Sequence, residues 1–211
     1  MHDVRQVRIL IVGAGGLGGP IALALGDRAL TIVDPDVVER SNLHRQIQFT
    51  DEDLGRAKAT VLASRIPGAT GIVGRYPIDR FDDFELIVDA SDDPATKFAV
   101  CDAAMAARIP YVIASALRYG GNVMIGAPGA GCYRCLFEEP PTDAPTCAAA
   151  GVLGPVVGAI GGVAAAHAAR LADGDRGEAG SIWVFDDVRF DRPPRVVRFE
   201  PRADCVCARW R

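Results

Sequence analysis

A glycine-rich segment near the start of the chain has the residue types and spacing of a nucleotide-binding loop. The run Gly13-Ala14-Gly15-Gly16-Leu17-Gly18 lies between a β-branched segment and a helical segment. In such loops the first glycine allows a tight turn, the second lets the backbone approach a phosphate, and the third allows close helix–strand packing. We therefore predict that Gly13, Gly15, Gly16 and Gly18 build a nucleotide site. The loop alone does not distinguish a redox cofactor from ATP.

Two acidic residues follow the second predicted strand, at 29–33. Asp34 is placed to bind the ribose hydroxyls of the nucleotide. Asp36 either does the same or caps the following turn.

A second polar group then indicates a triphosphate. It consists of Asn42, Arg45 and Gln46, within Ser41-Asn42-Leu43-His44-Arg45-Gln46, together with Lys58. Guanidinium and ammonium groups pair with phosphate oxygens, and a hydride carrier needs no such set. The alternative for Lys58 is a solvated position on a surface helix.

Asp92 follows the strand predicted at 84–88, at the carboxyl edge of the sheet, where ligands bind in such folds. A magnesium ion on its carboxylate would bridge phosphate oxygens. The alternative is that Asp92 is the N-cap of the next helix, and one residue could do both.

The cysteines are spaced like metal ligands. Cys132-x-x-Cys135 and Cys205-x-Cys207 are two close pairs that could close a four-thiolate zinc site. Disulfides are the competing interpretation, and Cys101 is expected in the core. Six cysteines in a chain without a signal-peptide pattern favour metal binding or reactive thiols, and a cytoplasmic location.

The elements that must position these residues alternate along the first half of the chain. Hydrophobic patterns predict strands at 7–12, 29–33, 70–73, 84–88 and 109–114, with helices at 16–25, 54–66, about 94–108 and 152–169. After residue 115 the pattern changes to antiparallel strands within 117–125, 183–185 and 188–199. The fold class is therefore α/β: a Rossmann-like, doubly wound, mostly parallel sheet with antiparallel C-terminal strands and a four-cysteine zinc knuckle.

Length and composition bound the function. The 211 residues suit a single domain, with a nucleotide-binding half at about 1–115 and a second half at about 116–211. A net charge of −4 without a basic block argues against a nucleic-acid partner. The apolar stretch 152–169 is rich in glycine and alanine, and we expect a buried helix rather than a membrane span.

In order along the chain, GAGGLGG, VDPDVVERSNLHRQ, GRAK, DASDD, CYRC and TCAAAGVLGPVVGAIGG resemble the MoeB/ThiF family of adenylating enzymes related to ubiquitin activators. The resemblance implies ATP and Mg²⁺ at the site. Asp34 would bind ribose, Asn42, Arg45, Gln46 and Lys58 would bind phosphates, and Asp92 would bind the magnesium ion. The substrate would be the C-terminal Gly-Gly carboxylate of a small β-grasp sulfur carrier, which attacks the α-phosphate and releases pyrophosphate.

The resemblance carries further expectations. Cys147 matches a cysteine that takes part in thioester or acyl-persulfide chemistry, the alternative being a dispensable thiol. A homodimer is expected, with a separate protein as sulfur donor. Apart from the resemblance, His44 is given no catalytic role, and His167, on an apolar helix, is expected to be a packing residue.

The chain also departs from the family pattern at three places. Arg5-Gln6 is at best a remnant of a segment whose arginine reaches the partner's ATP. Asp93 replaces an asparagine, and Cys205-x-Cys207 is one residue shorter than the usual pair. These departures leave open a non-catalytic nucleotide-binding partner in a heterodimer. Adenylation of a different peptide carboxylate and an NAD-dependent dehydrogenase also stay open at this point.

Overall fold

One mixed sheet of eight strands organises the chain in a computed structural model that describes residues 6–78, 83–140, 151–188 and 192–210. The strands are β1 (Arg8–Val12), β2 (Ala29–Asp34), β3 (Thr70–Val73), β4 (Leu86–Asp89), β5 (Tyr111–Leu117), β6 (Gly120–Gly126), β7 (Ser181–Phe185) and β8 (Arg195–Arg198). The α-helices are α1 (Gly18–Ala24), α2 (Lys58–Ser64), α3 (Pro94–Ala106), α4 (Tyr133–Leu136) and α5 (Gly154–Ala172), and three short 3₁₀ segments span Arg40–Asn42, Asp51–Asp53 and Val206–Trp210.

The strand order is β3-β2-β1-β4-β5-β6-β7-β8. The first five strands in this order pair in parallel, and β5 to β8 pair antiparallel. After β1 the chain adds β2 and β3 on one side of β1, and it then crosses over to place β4 on the other side. The carboxyl ends of β1 and β4 therefore flank a topological switch point, where open α/β sheets bind ligands.

Two apolar cores cover the faces of the sheet. On one face, α1, α2 and α5 pack against residues such as Ile9, Ile11 and Ile32. On the other face, α3, α4 and the cysteine pairs pack against Leu10 and Ile87. The strands of the parallel half are buried on both faces, which is why they appear in the sequence as continuous apolar runs.

The predicted α/β class and the change to antiparallel strands are confirmed, with corrections in the details. The second helix was expected from residue 54, but it begins at Lys58. Asp51–Asp53 instead forms a 3₁₀ turn with a capping box from Thr50 and Asp53, and Gly55 adopts a φ of +80°. A left-handed glycine cannot continue a helix, so the helix restarts after it.

The antiparallel half also differs from the prediction. The turn falls at Arg118-Tyr119, so β5 itself is the hairpin partner of β6 rather than a strand starting at residue 117. The strand expected at 188–199 is shorter and spans Arg195–Arg198, because Pro193 and Pro194 have no N–H groups for a ladder. Residues 189–191 lie outside the described part.

Helix α5, of 19 residues, is long and apolar enough to cross a membrane by length and composition. Half of its most apolar 18-residue stretch, however, is buried inside the fold. It packs against α1 and β5. This is the position of a core helix, as the glycine and alanine content suggests.

Candidate nucleotide-binding site

A cavity of about 750 Å³ opens at the carboxyl edge of the parallel strands. Most of the residues predicted to bind a nucleotide line it: Gly13, Gly15, Gly16, Asp34, Asp36, Asn42, Arg45, Gln46, Lys58 and Asp92. The fold thus brings together residues that lie up to 79 positions apart in the sequence, Gly13 and Asp92 being the outermost.

The glycine loop follows β1 directly. Gly13 has a φ of +99°, and a Cβ there would lie 2.9 Å from the carbonyl oxygen of Ala90. A Cβ on Gly18 would lie 1.9 Å from the carbonyl oxygen of Gly13. Gly18 is not among the cavity-lining residues, so its role is the close packing of α1 against the loop.

Asp34 at the end of β2 connects the loop to the second strand. Its Oδ2 accepts a hydrogen bond from the N–H of Ala14 at 2.7 Å, and its Oδ1 accepts one from the N–H of Asp36 at 2.8 Å. Burial raises the pKa of Asp34, against these two hydrogen bonds, which lower it. The carboxylate is thus held in a fixed orientation at the edge of the cavity.

Lys58 is the first residue of α2 and is 5% exposed, so the interpretation of a solvated surface lysine is wrong. Its Nζ lies 3.0 Å from Oδ2 of Asp36, whose side chain is 60% exposed. The ammonium thus forms an ion pair with a partly solvated carboxylate, its charge also lowers the pKa of Asp34, and it lines the cavity.

The first 3₁₀ segment and the turn after it carry three of the predicted residues, Asn42, Arg45 and Gln46. The Arg45 guanidinium donates to Oδ1 of Asn42 and lies 3.3 Å from Nε2 of His44. Asn42 in turn donates from Nδ2 to Glu39 at 3.2 Å. Gln46 is 4% exposed, and its Oε1 is buried with no hydrogen-bond partner among the described residues.

Asp92 and Asp93 have separate roles. The N-cap of α3 is Asp93, whose carboxylate accepts hydrogen bonds from the N–H groups of Ala95 and Thr96. Although burial opposes the charged form, the hydrogen bonds from Thr96 and Ala95 lower the pKa of Asp93. The N-cap interpretation of Asp92 is therefore wrong, and Asp92 lines the cavity as an exposed carboxylate.

Sequence reasoning missed a buried ion pair at the wall of the cavity, which Lys97 lines. Lys97 of α3 donates from Nζ to Oδ2 of Asp89 at 2.7 Å, and to the carbonyl oxygens of Ser91 at 2.7 Å and Ala114 at 2.9 Å. The Lys97 side chain is 7% exposed and that of Asp89 is 0% exposed. The pair ties β4, the loop carrying Asp92, α3 and β5 together.

Gln48 was missed as well. It is 4% exposed, and its Nε2 donates to the carbonyl oxygens of Ala14 and Gly15, both at 2.9 Å. Its apolar surroundings in the sequence, between Ile47 and Phe49, gave no signal that it contacts the glycine loop.

The four paired cysteines meet in one cluster under the second core. The Sγ atoms of Cys132 and Cys135 are 3.7 Å apart, and Cys132–Cys205 and Cys135–Cys207 are each separated by 3.6 Å. All four residues are buried, and the four Sγ atoms lie within 4.8 Å of one another. These separations are too long for S–S bonds of about 2.05 Å and suit ligands around one metal ion.

Some predicted residues lie outside the described part of the chain or outside the site. Cys147 and Arg5 belong to segments that the structure does not describe. Cys101 is buried in the core, as expected. His167 is buried with its ring 4.9 Å from that of Trp183, and burial lowers its pKa.

Comparison with known proteins adds three findings. The sequence model of the ThiF family matches residues 1–207. The adenylyltransferase and sulfurtransferase Uba4 of Neosartorya fischeri is 37% identical over 226 residues, covering 97% of this chain and 46% of that protein. The sulfur carrier protein adenylyltransferase of Thermus thermophilus is 34% identical over 227 residues, covering 97% of this chain and 83% of that protein.

The chain thus spans about half the length of the fungal relative. Among solved structures, E. coli MccB with AMPCPP and MccA superposes with a TM-score of 0.79 at 17% identity, covering 95% of this chain and 66% of MccB. This likeness shows that the two proteins share a fold.

Proposed function

The chain belongs to the ThiF family, and from this premise we propose that it is an ATP-dependent adenylyltransferase of a small β-grasp carrier protein. The substrate group is the C-terminal glycine carboxylate of the carrier. Residues 1–211 act as a single adenylation domain. The Thermus relative is named for the same activity.

The observation that carries the proposal is the shared cavity of Arg45, Lys58 and Asp92 next to the glycine loop. Two cationic side chains can neutralise phosphate charge, and a nearby carboxylate can hold Mg²⁺. This set suits a nucleoside triphosphate that is consumed in the reaction rather than a redox cofactor. A carboxylate nucleophile is already ionised at neutral pH and needs no general base. The absence of a nucleophile–histidine–acid arrangement among the described cavity residues agrees with this chemistry.

In the proposed reaction, a carboxylate oxygen of the carrier attacks the α-phosphorus of ATP. The bond from that phosphorus to the oxygen bridging it to the β-phosphorus breaks, and its electron pair leaves with pyrophosphate. The protein aligns the attack and neutralises negative charge on the phosphates. Arg45 and Lys58 supply the positive charge, and Asp34 orients the ribose.

Asp92 fits the role of a magnesium ligand, since Mg²⁺ is commonly held by one or two carboxylates together with substrate phosphates. The ion would neutralise charge on the phosphate oxygens. Asp93 is engaged as a helix cap, so of the two adjacent carboxylates between β4 and α3, Asp92 is the one not used as the cap.

We also propose that the cysteine cluster binds zinc as a structural site. With Zn–S bonds of about 2.3 Å, tetrahedral thiolates are separated by about 3.8 Å. The separations of 3.6 and 3.7 Å are close to this value, although the second pair is Cys-x-Cys. Four buried thiolates leave no open position, so this metal would stabilise the fold rather than react.

The test is ATP–pyrophosphate exchange with candidate β-grasp proteins that end in Gly-Gly. Arg45→Ala should lower exchange by about 100-fold, since it removes a group that stabilises developing charge. Arg40→Ala is the matched control, because Arg40 lies only five residues before Arg45 but pairs with Asp51 and does not line the cavity. A carrier lacking its last glycine should give no exchange.

Failure of exchange with every carrier, despite tight ATP binding, would favour the non-catalytic partner of a heterodimer. Restoration of exchange by a second family member would then support that alternative. Displacement of bound ATP by NAD at equal concentration would instead support a dehydrogenase.

A further inference from the structure

Gln48 is buried against the glycine loop although it lies outside the motif that binds phosphates. Its Nε2 donates both hydrogens, one to the carbonyl oxygen of Ala14 and one to that of Gly15, each at 2.9 Å. The carbonyl oxygen of Gly15 also accepts the N–H of Gly19, at 3.0 Å, within the first turn of α1. One side chain therefore fixes two successive peptide groups of the loop.

Fixing these carbonyl groups also fixes the direction of two N–H groups. A trans peptide is planar, and its C=O and N–H point in opposite directions. The peptides whose oxygens contact Gln48 carry the N–H groups of Gly15 and Gly16. Both glycines line the cavity. Gln48 thus holds the side of the loop that carries hydrogen-bond donors away from itself, where they can meet an anion.

The chemistry of this contact requires an amide donor. The Oε1 of Gln48 is buried and has no hydrogen-bond partner among the described residues. Exchanging the positions of Nε2 and Oε1 would set an acceptor against two carbonyl oxygens. A carboxylate at this position would meet the same repulsion, and an aliphatic side chain would supply no donor.

Gly19 provides the space that Gln48 occupies. A Cβ on residue 19 would lie 2.3 Å from Cδ and from Oε1 of Gln48. Those atoms are the far end of a flexible side chain, so an added methyl group would displace the amide rather than the backbone. The two residues therefore act as a pair, because the missing side chain of Gly19 on α1 leaves the space that the Gln48 amide fills.

We propose that Gln48 is a positioning residue for phosphate binding, acting through the peptide groups of Gly15 and Gly16, and that Gly19 is its required neighbour. The proposal rests on the nucleotide site of the proposed function. The proposal predicts that loss of Gln48 weakens binding of a ligand with phosphates but not of the same ligand without them.

The experiment measures the affinities of ATP and of adenosine for the purified protein by ligand-observed NMR and calorimetry. Gln48→Met keeps an unbranched, buried side chain but removes both donors. We expect ATP affinity to fall by about tenfold, as for the net loss of one or two hydrogen bonds, with adenosine affinity changed less than about twofold. Gln48→Glu should weaken ATP binding further, because its charge repels the carbonyl oxygens and the phosphates.

Ser181→Ala is the matched control for general destabilisation. Ser181 is also buried and also donates to a backbone carbonyl oxygen, that of Glu178 at 2.7 Å, but it does not line the cavity. It should leave both affinities unchanged. If Gln48→Met fails to fold, Gly19→Ala provides the same comparison, because it displaces the amide while Gln48 stays in the chain.

A double-mutant cycle separates this pair from two independent effects. Gly19→Ala should weaken ATP binding by about tenfold in the natural chain but by less than about twofold in a Gln48→Ala background, where the three atoms nearest to the added methyl group are removed. Equal losses in both backgrounds, or parallel losses of ATP and adenosine affinity, would overturn the proposal. A natural chain that binds no ATP would overturn the proposed function with it, whereas unchanged ATP binding in Gln48→Met would overturn this inference alone.

Discussion

Two buried lysines line the same cavity, and their replacement by methionine should have opposite consequences. Lys97 directs its three N–H donors at Asp89, Ser91 and Ala114, and every acceptor is within 2.9 Å. Among the described residues, Lys58 forms its ion pair with Asp36, at 3.0 Å. We therefore expect Lys97→Met to lower the free energy of unfolding, and Lys58→Met to weaken ATP binding.

The magnitude follows from the exposure of each partner. The Asp89 side chain is 0% exposed, so removing its cation leaves a buried, uncompensated carboxylate, at a cost of about 3–5 kcal/mol in unfolding free energy. The Asp36 side chain is 60% exposed, so water can solvate it when Lys58 is removed, and the cost should stay below about 1 kcal/mol.

The assay is urea unfolding of both variants, with ATP affinity measured on the same preparations. Adding Asp89→Asn to Lys97→Met removes the stranded charge and should recover part of the lost stability. A Lys97→Met cost below about 1 kcal/mol, or one no larger than that of Lys58→Met, would refute the assignment of Lys97 as the structural lysine.

Three further predictions concern the metal cluster, pH and helix capping. Cys205→Ser should abolish stoichiometric zinc binding measured by elemental analysis, whereas Cys101→Ala should retain it. Burial lowers the pKa of His167, so the unfolded state takes up a proton first as pH falls below about 6.5. Stability is full above that pH and should fall by up to about 1.4 kcal/mol per pH unit below it. If the unfolding free energy of His167→Gln fell with pH as steeply as that of the natural chain, this prediction would be contradicted. Asp93→Ala should cost about 1 kcal/mol by denaturation through loss of the α3 cap, and Asp92→Ala less than about 0.5 kcal/mol.

Local sequence patterns predicted the parallel half of the sheet well, because strands buried on both faces need continuous apolar runs. Strand β3 has the predicted bounds, Thr70–Val73. The start of α2 was placed too early because the helical spacing of apolar residues continues through Leu54, and the pattern does not register the left-handed backbone of Gly55.

The candidate site divides in the same way. Motif residues such as Arg45 and Lys58, which line the cavity, could be singled out because phosphate chemistry favours their types and because they lie close in sequence. Gln48 and Lys97 were not found, since their partners lie far along the chain: Gln48 contacts carbonyl groups 33 and 34 residues away, and Lys97 contacts one 17 residues away. Contacts to backbone carbonyl groups leave no pattern in side-chain types.

Cleavage of the backbone between Cys135 and Cys205 would leave two fragments, each with two of the four clustered thiols. The intervening chain includes α5, β7 and β8. With one metal ion bound by both cysteine pairs, the two fragments would stay associated after a protease had cut the chain. A chelator would then remove one of the links between the fragments, so that resistance to dissociation after proteolysis would depend on metal supply.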